Sequence, residues 1–227
     1  MQAVQSTKIL ENFYVARGFR PWALDEIERF LKEYGYPVKT FLSYFREVAV
    51  KRAGELVVAL TKIERALPDL CVEAKEALWS RPMWADEFSN LVTTAGLNDS
   101  LDKHLKGSAY TAAWYVLLTD GTPTPAAGDT MASHAGWTEV TAYDEATRAA
   151  LTLGSVSAGS VDNSANKAQF TINTNGTTIG GAGITSDDTP GATDGILYGV
   201  GAFSAGDKVL DDDDTLDVTI TCTAAAA

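Results

Sequence analysis

The chain has 227 residues, is 45% hydrophobic and 21% charged, and carries a net charge of −12 at pH 7. That length allows one or two domains with cores of their own, and no apolar run of about 18 residues offers a membrane span. Two cysteines, Cys71 and Cys222, exclude a disulfide framework and read as reduced thiols, and the acidity argues against nucleic acid as a ligand of the chain's back half.

The charge is unevenly placed. Residues 1–82 hold 13 Lys/Arg against 11 Asp/Glu, and residues 83–227 hold 5 against 19. The expectation is a near-neutral helical front and an acidic, Gly/Thr-rich β back. The first residues lack the apolar stretch of a secretory signal, so the chain is expected to stay in a cytoplasm until assembly.

In chain order, Pro21 suits a first helical turn, and 22–34 follows as a helix with Ile27, Phe30, Leu31 and Tyr34 on one face. Gly35 and Pro37 stop it. A second helical stretch covers 38–67, with Phe41, Leu42, Phe45 and Val48 continued by Leu56, Leu60, Ile63 and Leu67, and a break or bend at Gly54. Residues 69–79 form a third helix, and Arg81-Pro82 marks a boundary. These helices either pack on one another or dock a stripe onto another subunit. The aromatic side chains of Phe13, Tyr14, Phe19, Trp22, Tyr36 and Tyr44 are the candidate protein interface, because aromatics favour interfaces. Lys51-Arg52 reads as a solvated cationic spot.

Residues 83–104 still read as helix, through Phe88, Leu91, Val92, Leu97 and Leu101. After 107 the period becomes two. YTAAWYVLLT at 110–119 is apolar on both sides, as in a strand buried on both faces. Further strands are expected at 137–143, 148–153, 155–161, 167–172, 177–185 and 195–203. Asn175-Gly176 is the strongest hairpin signal. In the last strand, Leu216, Val218, Ile220 and Cys222 face inward, while Asp217, Thr219, Thr221 and Thr223 face water.

Little of this carries chemistry. Asp211, Asp212, Asp213 and Asp214 are consecutive and lack the spaced ligands of a calcium loop, so a solvated turn is expected. His104 and His134 stand in no zinc-like spacing with Cys71 or Cys222. No G-x-S-x-G elbow occurs, and GTTIGGAG at 176–183 lacks a phosphate-loop ending. No catalytic residue, metal ligand or cofactor is assigned.

Four segments carry a family resemblance: NLVTTAGLNDSLDKHLKGSAYTAAWYVLLTDGTP at 90–123, AGDTMASHAGWTEVTAYDEATR at 127–148, SVDNSANKAQFTINTNGTTIGGAGI at 160–184 and LYGVGAFSAGDKVLDDDDTLDVTIT at 197–221. Their order, a short helix, an aromatic strand, a D-G turn and a closing "GDTL.VT.T"-like strand, resembles a family of small tailed-bacteriophage virion proteins. The resemblance implies a β-sandwich found in capsid decoration, head-fibre or tail-associated proteins, without enzymatic activity. The family has a glycine in the final turn where this chain has Asp213. Its chains begin near Met83, so the first 82 residues look like an added virion-anchoring part.

The expectation is therefore an α+β chain: an N-terminal α-helical region at 1–82 for anchoring or oligomerisation, a connecting helix at 83–107, and an all-β antiparallel sandwich, Ig-like or jelly-roll-like, at 108–227. Its expected role is a non-enzymatic virion structural protein that decorates and stabilises a capsid shell. Expected partners are the major capsid protein, other virion proteins and further copies of itself, with no nucleic acid and no membrane. Two alternatives stand: a tail or fibre protein that uses loop aromatics such as Trp137 or Tyr143 on a host surface, and a polysaccharide depolymerase, for which the sequence shows no carboxylate constellation.

Overall fold

The computed structural model describes residues 10–52, 55–67, 69–104, 106, 108 and 113–224. The front of the chain runs β1 (Leu10–Phe19), β2 (Trp22–Ala23), α1 (Leu24–Glu33), α2 (Val38–Val48), β3 (Val50–Arg52), β4 (Glu55–Val58), α3 (Leu60–Ala66) and α4 (Val72–Leu78). Next come β5 (Trp84–Ser89), β6 (Leu91–Val92), α5 (Thr94–His104), β7 (Tyr115–Thr119), β8 (Glu139–Val140), β9 (Ala149–Ala150), β10 (Ser160–Asp162) and β11 (Ala168–Thr171). The chain closes with β12 (Thr177–Ile179), β13 (Gly181–Thr185), β14 (Leu197–Ala202), β15 (Lys208–Leu210) and β16 (Thr215–Ala224). The result is a mixed α/β structure built mainly on antiparallel sheets.

The expected all-helical front is corrected first by β1. Tyr14 and Ala16 alternate into the core while Phe13 stays half-exposed, which is the period of a strand. Over its length β1 pairs antiparallel with β16, Leu10 opposite Ala224 and Phe19 opposite Thr215. On its other side it pairs with β5, from Phe13 opposite Ser89 to Gly18 opposite Trp84. The Met83 amide donates to the Gly18 carbonyl at 2.7 Å, so the chain leaves and re-enters this sheet at one place. Gly18 is required there, because a Cβ would lie 2.5 Å from the Trp84 indole. Residues 20–83 are thus an insertion between two neighbouring strands.

The insertion builds a second core around the end of β1: Ile27, Phe30, Leu31, Leu42, Phe45, Val58, Leu60, Ile63 and Leu78 are buried in one cluster with Phe19 of β1. α1 starts where the Glu26 carboxylate accepts the Ala23 amide at 2.9 Å, half of a capping box. It stops at Gly35, whose φ of +76° suits glycine, with the Tyr36 amide returning to the Leu31 carbonyl at 2.8 Å. The long second helix does not form. β3 and β4 interrupt it, Val50 opposite Val57 and Arg52 opposite Glu55, and β4 also pairs with β2. Val50, Val57 and Val58 are β-branched, which favours this sheet over a continued helix. Gly54 lies outside the described residues.

The connecting helix at 83–107 is corrected in the same way. Along β5, Asp86 and Phe88 are buried while Ala85, Glu87 and Ser89 are exposed, again a period of two. Only the later part is helical, as α5, and its Leu97 and Leu101 are exposed rather than in a core stripe.

Two larger sheets share one core. The first runs β10-β16-β1-β5, with β11 beside β10 on the same edge of β16. The second runs β6-β14-β13-β7-β8, with β9 also on β7. Tyr14, Phe88, Phe170, Leu216 and Val218 from the first pack with Val116, Leu118, Ala182 and Ile184 from the second. Neither sheet closes on itself. Of the strand expected at 110–119, β7 covers Tyr115–Thr119, and residues 110–112 lie outside the described residues. β7 is buried on both faces, with Val116 and Leu118 pointing into the shared core and Leu117 joining Met131, Trp137, Leu197 and Val200 on the far side. At 180 a side chain is impossible, since a Cβ would lie 1.5 Å from the Gly121 carbonyl oxygen.

β16 keeps the expected inward row, with Leu216, Val218 and Ile220 fully buried. Its other row is not uniformly wet: Thr215 and Asp217 are buried too, and Asp217 pairs with Lys167 at 3.0 Å. In the gap between β10 and β11, Asn163 completes the ladder with its side chain. Its Oδ1 accepts the Ile220 amide at 2.6 Å, and its Nδ2 donates to the Val218 carbonyl at 3.2 Å. Asn175-Gly176 is a corner rather than a hairpin turn, because β11 pairs with β16 while β12 pairs with β15.

Candidate functional site

The polar feature that joins distant parts of the chain is the aspartate turn at 211–214. It is not the solvated turn expected from sequence: Asp213 and Asp214 are 1% and 2% exposed. Their charges are met by two cations of the insertion. Arg52 donates through Nη1 to Asp214 Oδ1 at 2.5 Å and through Nη2 to Asp211 Oδ2 at 3.0 Å. Lys62 Nζ donates to Asp213 Oδ1 at 2.6 Å and lies 3.5 Å from Asp144 Oδ2. Beside them the Thr61 and Thr171 hydroxyls meet at 2.6 Å. The core of the insertion and the core between the sheets share no residue. What crosses here is hydrogen-bonded and charged, so we call this junction the clasp.

The turn's geometry explains its aspartates. Asp213 takes a φ of +65°, in the left-handed region, where glycine, asparagine and aspartate are the residues best tolerated. The Asp214 carboxylate also accepts the Asp211 amide at 2.8 Å, which closes the turn locally. The Asp214 hydrogen bond is the main reason the Arg52 guanidinium is held above its ordinary pKa. Burial opposes the charge of Lys62, but Asp213 and Asp144 together outweigh it and raise that pKa. Burial also dominates at Asp213, raising its carboxyl pKa despite Lys62, and its Oδ2 is buried without a hydrogen-bond partner.

Asp217 is likewise raised by burial, against the opposing pull of Lys167. A raised acid favours the folded state below its unfolded pKa near 3.8, and that contribution is lost as pH rises through the folded value. The expected result is that Asp217→Asn stabilises the chain at neutral pH and that the gain disappears in acid. Urea titrations of both chains from acid to neutral pH test it; an equal gain at every pH contradicts it.

The six candidate interface aromatics do not form one surface. Tyr14 is fully buried and stacks on Phe88 in the shared core, with ring centroids 5.0 Å apart. Phe19 is buried in the other core, edge-on to Trp79 at 4.9 Å. Trp22 and Tyr36 are half-buried against the insertion core. Phe13 and Tyr44 expose their side chains, at 49% and 45%, on separate elements. Trp137 and Tyr143, the loop aromatics invoked for host contact, are buried.

Several clefts open among the described residues. One of about 380 Å³ lies beside the clasp, lined by Thr61, Lys62, Arg65, Asp144, Glu145 and Thr171. One of about 330 Å³ lies within the insertion, with Arg20, Arg29 and Arg81 beside Trp22, Phe30 and Tyr34. A smaller apolar one, about 170 Å³, lies between α5 and the sheets, walled by Trp114, Leu151, Ile184 and Tyr198. Among the described residues no group of three or more His, Cys, Asp or Glu is placed to hold a metal ion. Cys71, exposed on the insertion, and the half-buried Cys222 are free thiols, and burial pushes the Cys222 thiol up to about 11.

What sequence reasoning missed is the pairing itself. From sequence alone the Lys51-Arg52 spot and the aspartate run each suggest a solvated surface. Arg52 and Asp211 are 159 positions apart, and no local pattern links them. No protein-family model matches the chain, and no curated protein matches it.

Proposed function

We propose that the chain is a non-enzymatic structural protein of a tailed-phage virion that decorates the capsid or builds a head fibre, bound to the major capsid protein or to further copies of itself. The two sheets are read as a sandwich of the Ig-like or jelly-roll-like kind, and the insertion as the part that reaches a neighbour. The resemblance of residues 90–223 supports this reading.

The observation that carries it is how the ionisable groups are engaged. Asp211, Asp213 and Asp214 hold Arg52 and Lys62, Glu139 and Asp187 hold Arg148, and Lys167 holds Asp217. Each of these pairs ties separate segments of the chain together, as suits a building element. The exposed Tyr44 and Leu56 of the insertion, at 45% and 44%, offer apolar area to a neighbour. Mass spectrometry of separated heads and tails, from particles made by cells that carry this sequence, tests the proposal. Recovery with heads is expected. Recovery only with tails moves the protein to a tail or fibre role, and absence from both overturns a virion role.

A further inference from the structure

The Asn175-Gly176 corner forms no hairpin, yet it is held in a chemically pointed way. Asn175-Gly176 is the only Asn-Gly pair in the chain. The Gly176 amide N–H donates to Asp211 Oδ1 at 3.0 Å. Asn175 Oδ1 accepts the Asp212 amide N–H at 3.1 Å. Only the oxygen of a carboxamide accepts such a bond, so Nδ2 is the other branch. Gly176 has a φ of +74°, and nothing lies within 4 Å of where a Cβ would stand. A backbone nitrogen beside a carboxylate base therefore neighbours a carboxamide carbon whose oxygen already has a donor. These are the parts of an acyl transfer within one residue pair.

We propose that Asn175 is a self-modification site, at which the Gly176 nitrogen closes on the Asn175 side chain and converts it to aspartate or isoaspartate. Asp211 takes the Gly176 amide proton as the nitrogen attacks Cγ, and the new N–Cγ bond forms. The oxygen of the tetrahedral carbon is met by the Asp212 N–H. Collapse breaks the Cγ–Nδ2 bond, and the nitrogen leaves as ammonia with the proton from Asp211. Water then opens the five-membered succinimide at either carbonyl. The balance is one water consumed and one ammonia released, with no oxidation. Because Asp211 also holds Arg52, the new carboxylate, or the extra main-chain methylene of isoaspartate, arises next to the clasp. This inference stands apart from the virion reading.

The test incubates the full native chain and the same chain unfolded in urea at one mildly alkaline pH. Peptide mass spectrometry that separates aspartate from isoaspartate follows residue 175, with ammonia release as a second readout. General-base assistance predicts conversion about tenfold or more faster in the native chain than in the unfolded one. Asp211→Asn should bring the native rate down to the unfolded rate. Arg52→Gln, which frees the Asp211 carboxylate from its guanidinium, should raise it and gives a second reading if Asp211→Asn misfolds. A native rate at or below the unfolded rate overturns the proposal, as does a folded Asp211→Asn chain that converts as fast as the parent.

Discussion

Arg148→Met is expected to lower the unfolding free energy by about 3–5 kcal/mol, the range for breaking a buried ion pair from one side. The Arg148 side chain is fully buried. Its Nε and Nη2 donate to the two carboxylate oxygens of Glu139 at 2.8 and 2.7 Å, a bidentate pair. Nη1 donates to the Asp187 carbonyl at 2.8 Å, and Nη2 also to the Ala192 carbonyl at 3.0 Å. The Arg148 amide reaches the Asp188 carbonyl at 2.8 Å, and Glu139 accepts the Gly191 amide at 2.9 Å. One guanidinium thus fixes the 187–192 loop on the edge of the second sheet. Methionine fills much of the volume but leaves the Glu139 carboxylate, at 8% side-chain exposure, without its cation. Because the penalty sits on the orphaned partner, Glu139→Leu combined with Arg148→Met should be less destabilising than Arg148→Met alone. Urea unfolding of the single and double variants measures both. A double variant that loses the sum of the two single losses contradicts this reading.

The second large effect is expected at the clasp. Arg52→Gln with Lys62→Gln removes both cations from a turn whose Asp213 and Asp214 side chains are 2% and 3% exposed. Arg52 and Lys62 are themselves 31% and 25% exposed, so solvent screening lowers the effect below that of Arg148, to about 2 kcal/mol. The form of the loss is more telling than its size. The insertion is joined to the first sheet through Phe19 of β1, packed on Trp79, and through the charged clasp, so loss of the clasp removes one of these two attachments. The double variant should therefore unfold in two steps where the parent unfolds in one, and amides around Thr61 and Thr171 should exchange faster. High salt should bring the parent closer to the variant. A single transition at the parent's midpoint sinks this expectation.

The sequence made some elements plain and hid others. β7 and β16 were legible because a strand that is apolar on both sides, or strictly alternating, has few other readings. The end of α1 was legible because Gly35 and Pro37 are local signals. β1 was not: LENFYVARGF mixes charged, aromatic and small residues, and it becomes a strand because β16 and β5 flank it. β5 and β6 were hidden by Phe88, Leu91 and Val92, whose three- and four-residue spacing imitates a helix face. The same holds for the site. Each half of the clasp was visible as a charge run, but only the fold brings 52 and 62 to 211–214. Tyr14 and Phe19 showed as aromatics on offer to a partner, and the chain's own two cores take them.

β1 makes the folding of shortened chains the sharpest question. A chain in which a short turn replaces residues 20–82 is expected to keep both sheets, because the Met83 amide already touches the Gly18 carbonyl at 2.7 Å. A chain that begins at residue 83 loses the strand between β16 and β5 and exposes Phe88, Val218 and Ile220 from the core. Near-ultraviolet circular dichroism through a urea titration should show cooperative unfolding for the first chain and none for the second. Cooperative unfolding of the second chain at the midpoint of the first would contradict the placement of β1 at the heart of the sheet.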